Sequence, residues 1–220
     1  MRKWSVYTCI IWETYHQDEL YILIEGRWYH VGTDYAETVR RFVNDIESSD
    51  VELISAREGQ PEKKYNEKAA DGSDRLLNMD REYFSFGTAR TKIEFCDLLS
   101  KRGKFIHVKR GVGSSTLSHL FSQGTVSAEA FAYEQASRRA LRNHVGADSD
   151  FNVFPDKPPT CSDYEVCYAI ISPKSISDWG ATLPFFSNVN LRQRTRRLRR
   201  MGFNVTLKHI PVVATYEDDE

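Results

Sequence analysis

A continuous apolar run near the C-terminal end of the chain constrains the fold more than any other stretch. Residues 164–172 read YEVCYAIIS, with a single charged residue near the start of the run. A strand that is apolar on both faces lies inside a parallel or mixed sheet, because helices cover both of its sides. From about residue 65 onward the pattern predicts helix, three strands, helix, strand, helix and strand. The sequence therefore predicts a mixed α/β sheet flanked by helices over residues 55–220.

The N-terminal quarter of the chain has a different pattern. Residues 4–32 are rich in β-branched and aromatic side chains, and HQD separates the first two segments as a hairpin turn would. RWYHVG follows as a third strand. Residues 33–48 then have apolar side chains at helical spacing after a Thr-Asp start. We predict a subdomain of antiparallel strands and one helix over residues 1–54, which makes the whole chain α+β or mixed α/β.

Composition and charge exclude a membrane-spanning protein. The formal net charge of the 220 residues is −1. The longest N-terminal apolar stretch, VYTCIIW, has seven residues, which is too short for a bilayer span and for a complete signal peptide. The four cysteines include no CxxC pair. We therefore expect a cytoplasmic protein without a membrane partner.

Two neighbouring predicted strands carry residues that a metal-dependent nuclease needs. Asp97 ends the segment IEFCD, and the next strand contains His107 and Lys109. Alternation places His107 and Lys109 on one strand face, and Asp97 facing Lys109 would relieve the cost of burying either charge. Mg²⁺ or Mn²⁺ on such a carboxylate activates water, and the lysine stabilises the charge that develops on phosphate. Asp97, Glu67 in the preceding helical segment, and His107 are the predicted metal ligands, and these three with Lys109 are the predicted catalytic residues.

This arrangement resembles the PD-(D/E)XK core of restriction-endonuclease-like proteins. The resemblance implies a metal-dependent endonuclease that acts on DNA. His107 departs from it, because Glu or Gln is expected at that position and imidazole is a poor Mg²⁺ ligand. One alternative is therefore a degenerate nuclease fold that binds nucleic acid or senses a partner. A second is a phospholipase-D-type phosphodiesterase with His107 as nucleophile, although Ser114 stands where that motif has Asp, and the single HxK would require a homodimer.

The segment after this strand predicts contacts with phosphate. Ser114 or Ser115 begins a helix of roughly residues 115–142, for which we predict a break near Gly124. Glycines before a helix leave backbone N–H groups open to a phosphate. Ser115, His119 and Gln123 recur every four residues and share one face of the helix. We predict these residues, Ser114 and Arg110 as nucleic-acid contacts.

An arginine-rich segment is the strongest electrostatic feature. Residues 191–200, LRQRTRRLRR, form a predicted helix whose apolar stripe faces inward. Arginines around such a stripe can follow phosphates. The alternative is that they pair with the acidic tail, EDDE, or with Glu58 and Glu62. The predicted DNA-contacting residues of this helix are Arg192, Arg194, Arg196, Arg197, Arg199 and Arg200.

Four strings resemble a sporadically distributed bacterial family of unknown function that occurs in mobile and defence-associated gene neighbourhoods. They are IEFCDLL, IHVKRGVGSSTLSHLFSQGTVSAE, YEVCYAII and LPFFSNVNLR with its continuation MGFNVTLKHI. The opening WSVYTCIIWE is also similar to that family. The resemblance is to the C-terminal half of longer proteins, so the chain is expected to lack their N-terminal half. It implies restriction-like or anti-phage biology.

Overall fold

The computed structural model describes residues 5–85, 92–146 and 148–214. An antiparallel three-stranded sheet stands at the N-terminus, with strand order β1-β2-β3. Its elements are α1 (Val6–Cys9), β1 (Trp12–His16), β2 (Glu19–Ile24) and β3 (Arg27–Val31). The predicted hairpin turn is confirmed: Gln17 and Asp18 have φ of 51° and 63°, the left-handed conformation that two-residue hairpin turns require.

The first predicted strand is wrong over its N-terminal half, where the structure has the short helix α1. The reason is a contact with the turn between β2 and β3. A Cβ atom on Gly26 would lie 3.1 Å from the Tyr7 ring, so α1 folds back against this turn and strand β1 begins only at Trp12.

Helix α2 (Thr33–Asn44) follows the small sheet, as predicted, and buries Ala36, Val39 and Val43. The other strands are β4 (Ala56–Arg57), β5 (Leu76–Asn78), β6 (Tyr83–Ser85), β7 (Lys92–Glu94), β8 (Leu98–Ser100), β9 (Lys104–Arg110), β10 (Glu165–Ser172) and β11 (Asn204–Val213). The other helices are α3 (Glu62–Asp71), α4 (Ser114–Tyr133), α5 (Gln135–Val145), α6 (Trp179–Thr182) and α7 (Phe185–Arg200), with a 3₁₀ turn at Cys161–Asp163.

The main sheet has six strands in the order β4-β11-β10-β9-β8-β5. Strand β10 lies at its centre and pairs in parallel with both β9 and β11. Strands β8 and β5 are antiparallel to their neighbours. The predicted fold class, a mixed sheet flanked by helices, is therefore confirmed. No helix within the described residues is both long and apolar enough to cross a membrane.

Helices cover both faces of this sheet, as the apolar run in β10 predicts. Helices α4 and α7 contribute to the larger core, with Phe121, Leu191 and Tyr168 among its buried members. Helix α3 covers the opposite face, where its Tyr65 packs in one cluster with Ile106 of β9. Leu and Phe side chains buried in this way each stabilise the fold by roughly 1.5–3 kcal/mol.

The predicted helix break near Gly124 is wrong. Gly124 lies inside α4, and α4 is separated from α5 at Glu134 instead. A Cβ atom on Gly124 would stand 2.6 Å from Cε1 of Tyr168. The glycine therefore permits α4 to approach the aromatic ring on β10, and the helix continues through it.

The N-terminal sheet is tied to the rest of the chain by a charged helix cap. The Glu13 carboxylate accepts hydrogen bonds from the backbone N–H groups of Phe185 and Phe186 at 2.7 and 3.1 Å. A carboxylate at this end of α7 also interacts favourably with the helix dipole. Leu20 and Phe185 share one apolar cluster across the predicted boundary after residue 54, and that boundary stays a prediction.

Candidate functional site

Three strand ends meet at one edge of the main sheet and create the candidate site. The N–H of Met79, just past β5, donates to the backbone oxygen of Asp97 at 2.9 Å. The N–H of Asp97, just before β8, donates to the backbone oxygen of Ile106 in β9 at 3.0 Å. The antiparallel register therefore places Asp80 and Asp97 beside the end of β9 that carries Lys109.

Three half-buried carboxylates converge there. One ligand oxygen from each of Asp80, Glu94 and Asp97 lies within 4.8 Å of the other two. Two of the carboxylates are oriented by backbone donors: Val108 N–H to Asp97 Oδ2 at 2.7 Å and Arg81 N–H to Glu94 Oε1 at 2.6 Å. Their spacing is set by the fold, because both donors belong to the ordered backbone.

The electrostatics of this group favour a bound cation. The pKa of Asp97 is raised to about 7, chiefly by burial and also by the charges of Glu94, Asp80 and Glu62, although the hydrogen bond from Val108 N–H acts to lower it. Burial likewise raises the pKa of Glu94, and the charge of Asp80 adds to the effect. Neighbouring carboxylates that disfavour one another's ionised form are the environment that a divalent cation stabilises.

Lys109 follows Val108, whose N–H binds Asp97, and its side chain is held by helix α3. Its Nζ lies 2.7 Å from Oε2 of Glu62, and Oε1 of the same carboxylate accepts the Arg110 N–H at 2.9 Å. The Arg110 guanidinium donates to the backbone oxygen of Arg57 at 3.1 Å. Glu62 therefore fixes the end of β9 and keeps the Lys109 ammonium oriented.

Helix α4 supplies polar side chains to the same site. The Gln123 amide donates to Oε2 of Glu94 at 3.3 Å, and the nearby His119 lowers the pKa of Glu94. One turn earlier Ser115 is exposed, as His119 is. The predicted polar face of this helix thus reaches the carboxylates at its Gln123 end.

A groove lies at the other end of that helix face. Ser114 and Ser115 line it together with Trp12 of β1 and Phe186 of α7, and its volume is about 720 Å³. The polar face of α4 therefore runs between this groove and the carboxylates.

Two sequence-predicted metal ligands lie outside the group of three carboxylates. The Glu67 carboxylate lies 3.1 Å from Lys64 Nζ and 3.7 Å from Lys63 Nζ, on the outer side of α3. His107 is only 2% exposed. Its Nε2 lies 3.4 Å from the Ser127 hydroxyl, and burial lowers its pKa to about 3. The imidazole is a neutral core group packed beneath α4.

Most arginines of α7 pack against neighbouring helices. The guanidinium carbons of Arg192 and Arg199 lie 5.8 and 5.7 Å from the Phe42 ring centroid on α2. Arg194 donates to the Ser122 hydroxyl at 3.2 Å, and Arg197 pairs with Glu129, both on α4. Four arginines of this helix are exposed, namely Arg196, Arg197, Arg199 and Arg200. Glu62, an alternative partner in the sequence analysis, pairs with Lys109 instead, and the acidic tail lies outside the described residues.

The site contains three residues that the sequence did not predict there: Asp80, Glu94 and Glu62. Glu94 and Asp97 are three residues apart, so a continuous strand would point them to opposite faces. The predicted strand is in fact interrupted at Phe95 and Cys96, and this break brings the two carboxylates together. The sequence predicted no strand over LLNMD, so it gave no signal that Asp80 would lie beside Asp97.

Comparison with known proteins adds one finding. The model of a family described as a family of unknown function (DUF6119) matches residues 1–211 of the chain. No curated protein and no solved structure matches it significantly.

Proposed function

The chain belongs to the DUF6119 family, whose function is unknown, and we propose that it is a metal-dependent nuclease that acts on DNA. One observation carries this proposal: an oxygen from each of Asp80, Glu94 and Asp97 lies within 4.8 Å of the other two, and the N–H of Val108, the residue before Lys109, binds the Asp97 carboxylate. Carboxylates that hold Mg²⁺ beside a lysine are a sufficient set for phosphodiester hydrolysis.

The three carboxylates fit a divalent cation. Mg²⁺ binds oxygen at about 2.0–2.1 Å, so two oxygens on one ion stand at most about 4.2 Å apart. The observed group, with all three oxygens within 4.8 Å of one another, needs only small side-chain movements to reach this geometry. A bound Mg²⁺ or Mn²⁺ supplies an activated water and neutralises charge on the phosphate.

Lys109 is proposed to stabilise the phosphate charge. An ammonium has three donors, and the contact with Glu62 uses one of them. The other two N–H groups of the ammonium remain available to a phosphate oxygen bound near the three carboxylates. Because Glu62 also binds the backbone N–H of Arg110, the ammonium keeps its position before substrate arrives, which lowers the cost of ordering it in the reaction.

Affinity for DNA is proposed to come from residues around the cleft. Ser115, His119 and Gln123 on α4 lead toward the carboxylates, and Ser114 begins the same helix. The Arg110 guanidinium, which donates to the Arg57 backbone oxygen, is a further proposed contact. On α7 the exposed Arg196 and Arg200 supply phosphate contacts, while the arginines that pack on α2 and α4 contribute to the potential of this surface. Such contacts give an affinity that falls as salt rises.

Cleavage of supercoiled plasmid and of labelled single- and double-stranded oligonucleotides tests the proposal. We expect cutting with Mg²⁺ or Mn²⁺ and none with EDTA. Asp97→Asn, Glu94→Gln and Lys109→Met should each lower the rate by about 100-fold or more. Glu67→Gln and Lys68→Met are the matched controls, because they make the same changes on the outer side of α3, and both should cut as the parent does.

Two outcomes would contradict the nuclease proposal. Metal-dependent cutting that survives in all three site variants would place the activity elsewhere or in a contaminant. The parent protein could instead bind DNA in a salt-sensitive way and cut no substrate with either metal. That result would support the non-catalytic binding module. The phospholipase-D-type alternative has less support, because its nucleophile would be His107, which the core buries.

A restriction-like role in a bacterial defence or mobile-element setting is a further part of this proposal. It depends on the resemblance described for the four sequence strings. A screen of phage-derived and modified DNA as substrates tests it; equal rates on modified and unmodified DNA would argue against a role in recognising foreign DNA.

A further inference from the structure

Trp12 is a large aromatic side chain that the fold leaves mostly in solvent. It begins strand β1 and is 60% exposed. It lines the groove at the start of α4 together with Phe186, and Ile11 and Ile24 add aliphatic surface to the same groove. A groove of about 720 Å³ has the size of a small-molecule site. Its aromatic lining is therefore suited to stacking against a flat ring of a ligand.

Polar and cationic groups lie along one wall of this groove. Ser115 and Ser118 of α4 and Asn190 of α7 line it. Arg194, one turn further along α7, is held beside it, because its Nε donates to Oδ1 of Asn190 at 3.3 Å and its Nη2 donates to the Ser122 hydroxyl at 3.2 Å. These two contacts use two of the five N–H groups of a guanidinium. The remaining donors are available to a phosphate next to the groove.

The carboxylate in the lining is already compensated by the protein. Glu13 lines the groove, but it accepts the backbone N–H groups of Phe185 and Phe186 at 2.7 and 3.1 Å. It also faces the positive end of the α7 dipole. The guanidinium of Arg194 adds a full positive charge beside it. An exposed aromatic ring next to a cation is the combination with which proteins bind unpaired nucleotides.

We propose that this groove binds an unpaired nucleotide, with its base stacked on Trp12 and its phosphate near Arg194, so that the substrate is single-stranded DNA. Bases in a duplex stack on one another, whereas an unpaired base offers its face to a protein ring. Ser115 and Gln123 are eight residues apart on α4, or about 12 Å along its axis, and Gln123 contacts Glu94. A strand that leaves the groove therefore reaches the carboxylates within a few nucleotides. This inference rests on the proposed nuclease function.

Fluorescence anisotropy of a labelled oligothymidylate of about ten nucleotides, measured in EDTA, separates binding from cleavage. We expect it to bind more tightly than a duplex of the same length. Trp12→Ala should lower its affinity by about 5- to 150-fold, and Trp12→Phe, which keeps a ring, should bind with intermediate affinity. Trp28→Ala is the matched control and should bind as the parent does. Trp28 is 49% exposed and pairs with Leu23 from the side opposite to Trp12.

Arg194→Met tests the phosphate end of the groove and keeps Trp12 in place. It should weaken binding of the oligothymidylate and reduce the slope of log affinity against log salt by about 0.7. This variant also covers the case in which Trp12→Ala does not fold. An unchanged salt slope would contradict the phosphate contact of Arg194.

Failure of the inference and failure of the nuclease proposal are distinguishable. If the oligothymidylate binds no better than the duplex, or binds Trp12→Ala as it binds the parent, the inference is overturned, while metal-dependent cutting of duplex DNA would still support the nuclease. If it binds through Trp12 and neither metal gives cutting, the nuclease proposal fails and the groove remains a single-strand site. A parent protein that sediments as a dimer without DNA, and a Trp12→Ala variant that does not, would assign the groove to a second copy of the chain and overturn the inference.

Discussion

Replacing Asp97 by Asn should stabilise the metal-free protein, although it removes a proposed metal ligand. The structure raises the pKa of Asp97 from 3.8 to about 7. One pKa unit corresponds to about 1.36 kcal/mol, so ionised Asp97 costs the fold up to about 4 kcal/mol above pH 7. Asparagine carries no charge, and its oxygen can still accept the Val108 N–H.

The sign of the pH dependence follows from the raised pKa. Below pH 3.8 Asp97 is protonated in both the folded and the unfolded chain and contributes nothing. Between pH 3.8 and about 7 the unfolded chain releases the proton and the folded chain keeps it. The stability of the parent protein therefore declines as the pH rises through this window, and the variant lacks that decline.

Urea unfolding in EDTA at several pH values measures the effect. We expect the free energy of unfolding of Asp97→Asn to be higher than that of the parent by roughly 2–4 kcal/mol at pH 8 and equal to it near pH 4. Mg²⁺ should narrow the gap by stabilising only the parent. Asp74→Asn, at an exposed position outside the site, is the control and should change neither curve. A variant that is no more stable than the parent at pH 8, or a gap that does not depend on pH, would refute the reasoning.

Three further changes test the packing around the site. His107→Phe should make the free energy of unfolding less sensitive to acid. Burial lowers the pKa of His107 to about 3, so between pH 6.5 and pH 4 the imidazole is protonated only in the unfolded parent. This difference lowers the stability of the parent by roughly 3 kcal/mol as the pH falls. Urea unfolding of the variant should show a shallower loss over that range, and parallel curves would contradict the buried, neutral state. Gly124→Ala should destabilise the protein by roughly 1–3 kcal/mol, because the added Cβ would lie 2.6 Å from Tyr168. This loss should outweigh the better helix propensity of alanine. Thermal unfolding measures the effect, and a higher melting temperature for the variant would exclude the close approach of α4 to Tyr168. Glu13→Ala should cost about 1 kcal/mol through loss of the α7 cap, with Glu13→Gln intermediate; equal urea midpoints for all three proteins would show that the cap is not formed.

The sequence predicted that Asp97 lies beside the strand that carries Lys109, because both strands have clear apolar patterns, and the Val108 N–H of that strand binds the Asp97 carboxylate. It also placed Gln123 near them through the helix that follows. It did not find Glu94, because the alternation rule assumes an unbroken strand, and it did not find Asp80, because strand β5 is only three residues long. Glu62 was missed because its role depends on a contact with Lys109, 47 residues away.

His107 illustrates the same limit in reverse. Its position in the motif predicted a metal ligand, since local spacing says which face a side chain takes but not what covers that face. Helix α4 covers it here, with Ser127 beside the imidazole. Glu94 ends strand β7 and Asp80 follows strand β5. Their closeness to Asp97 can be recognised only once the pairing of the strands is known.

The sequence by itself determined the mixed sheet, the order of its main elements and the chemistry available at the end of β9. These features follow from apolar runs, periodicity and residue type, all of which act over a few neighbouring positions. Only the tertiary structure decided which carboxylates meet and that α4 continues through Gly124. Those outcomes depend on strand register, on the break between β7 and β8, and on the Tyr168 ring, and no short stretch of sequence contains both partners of such contacts.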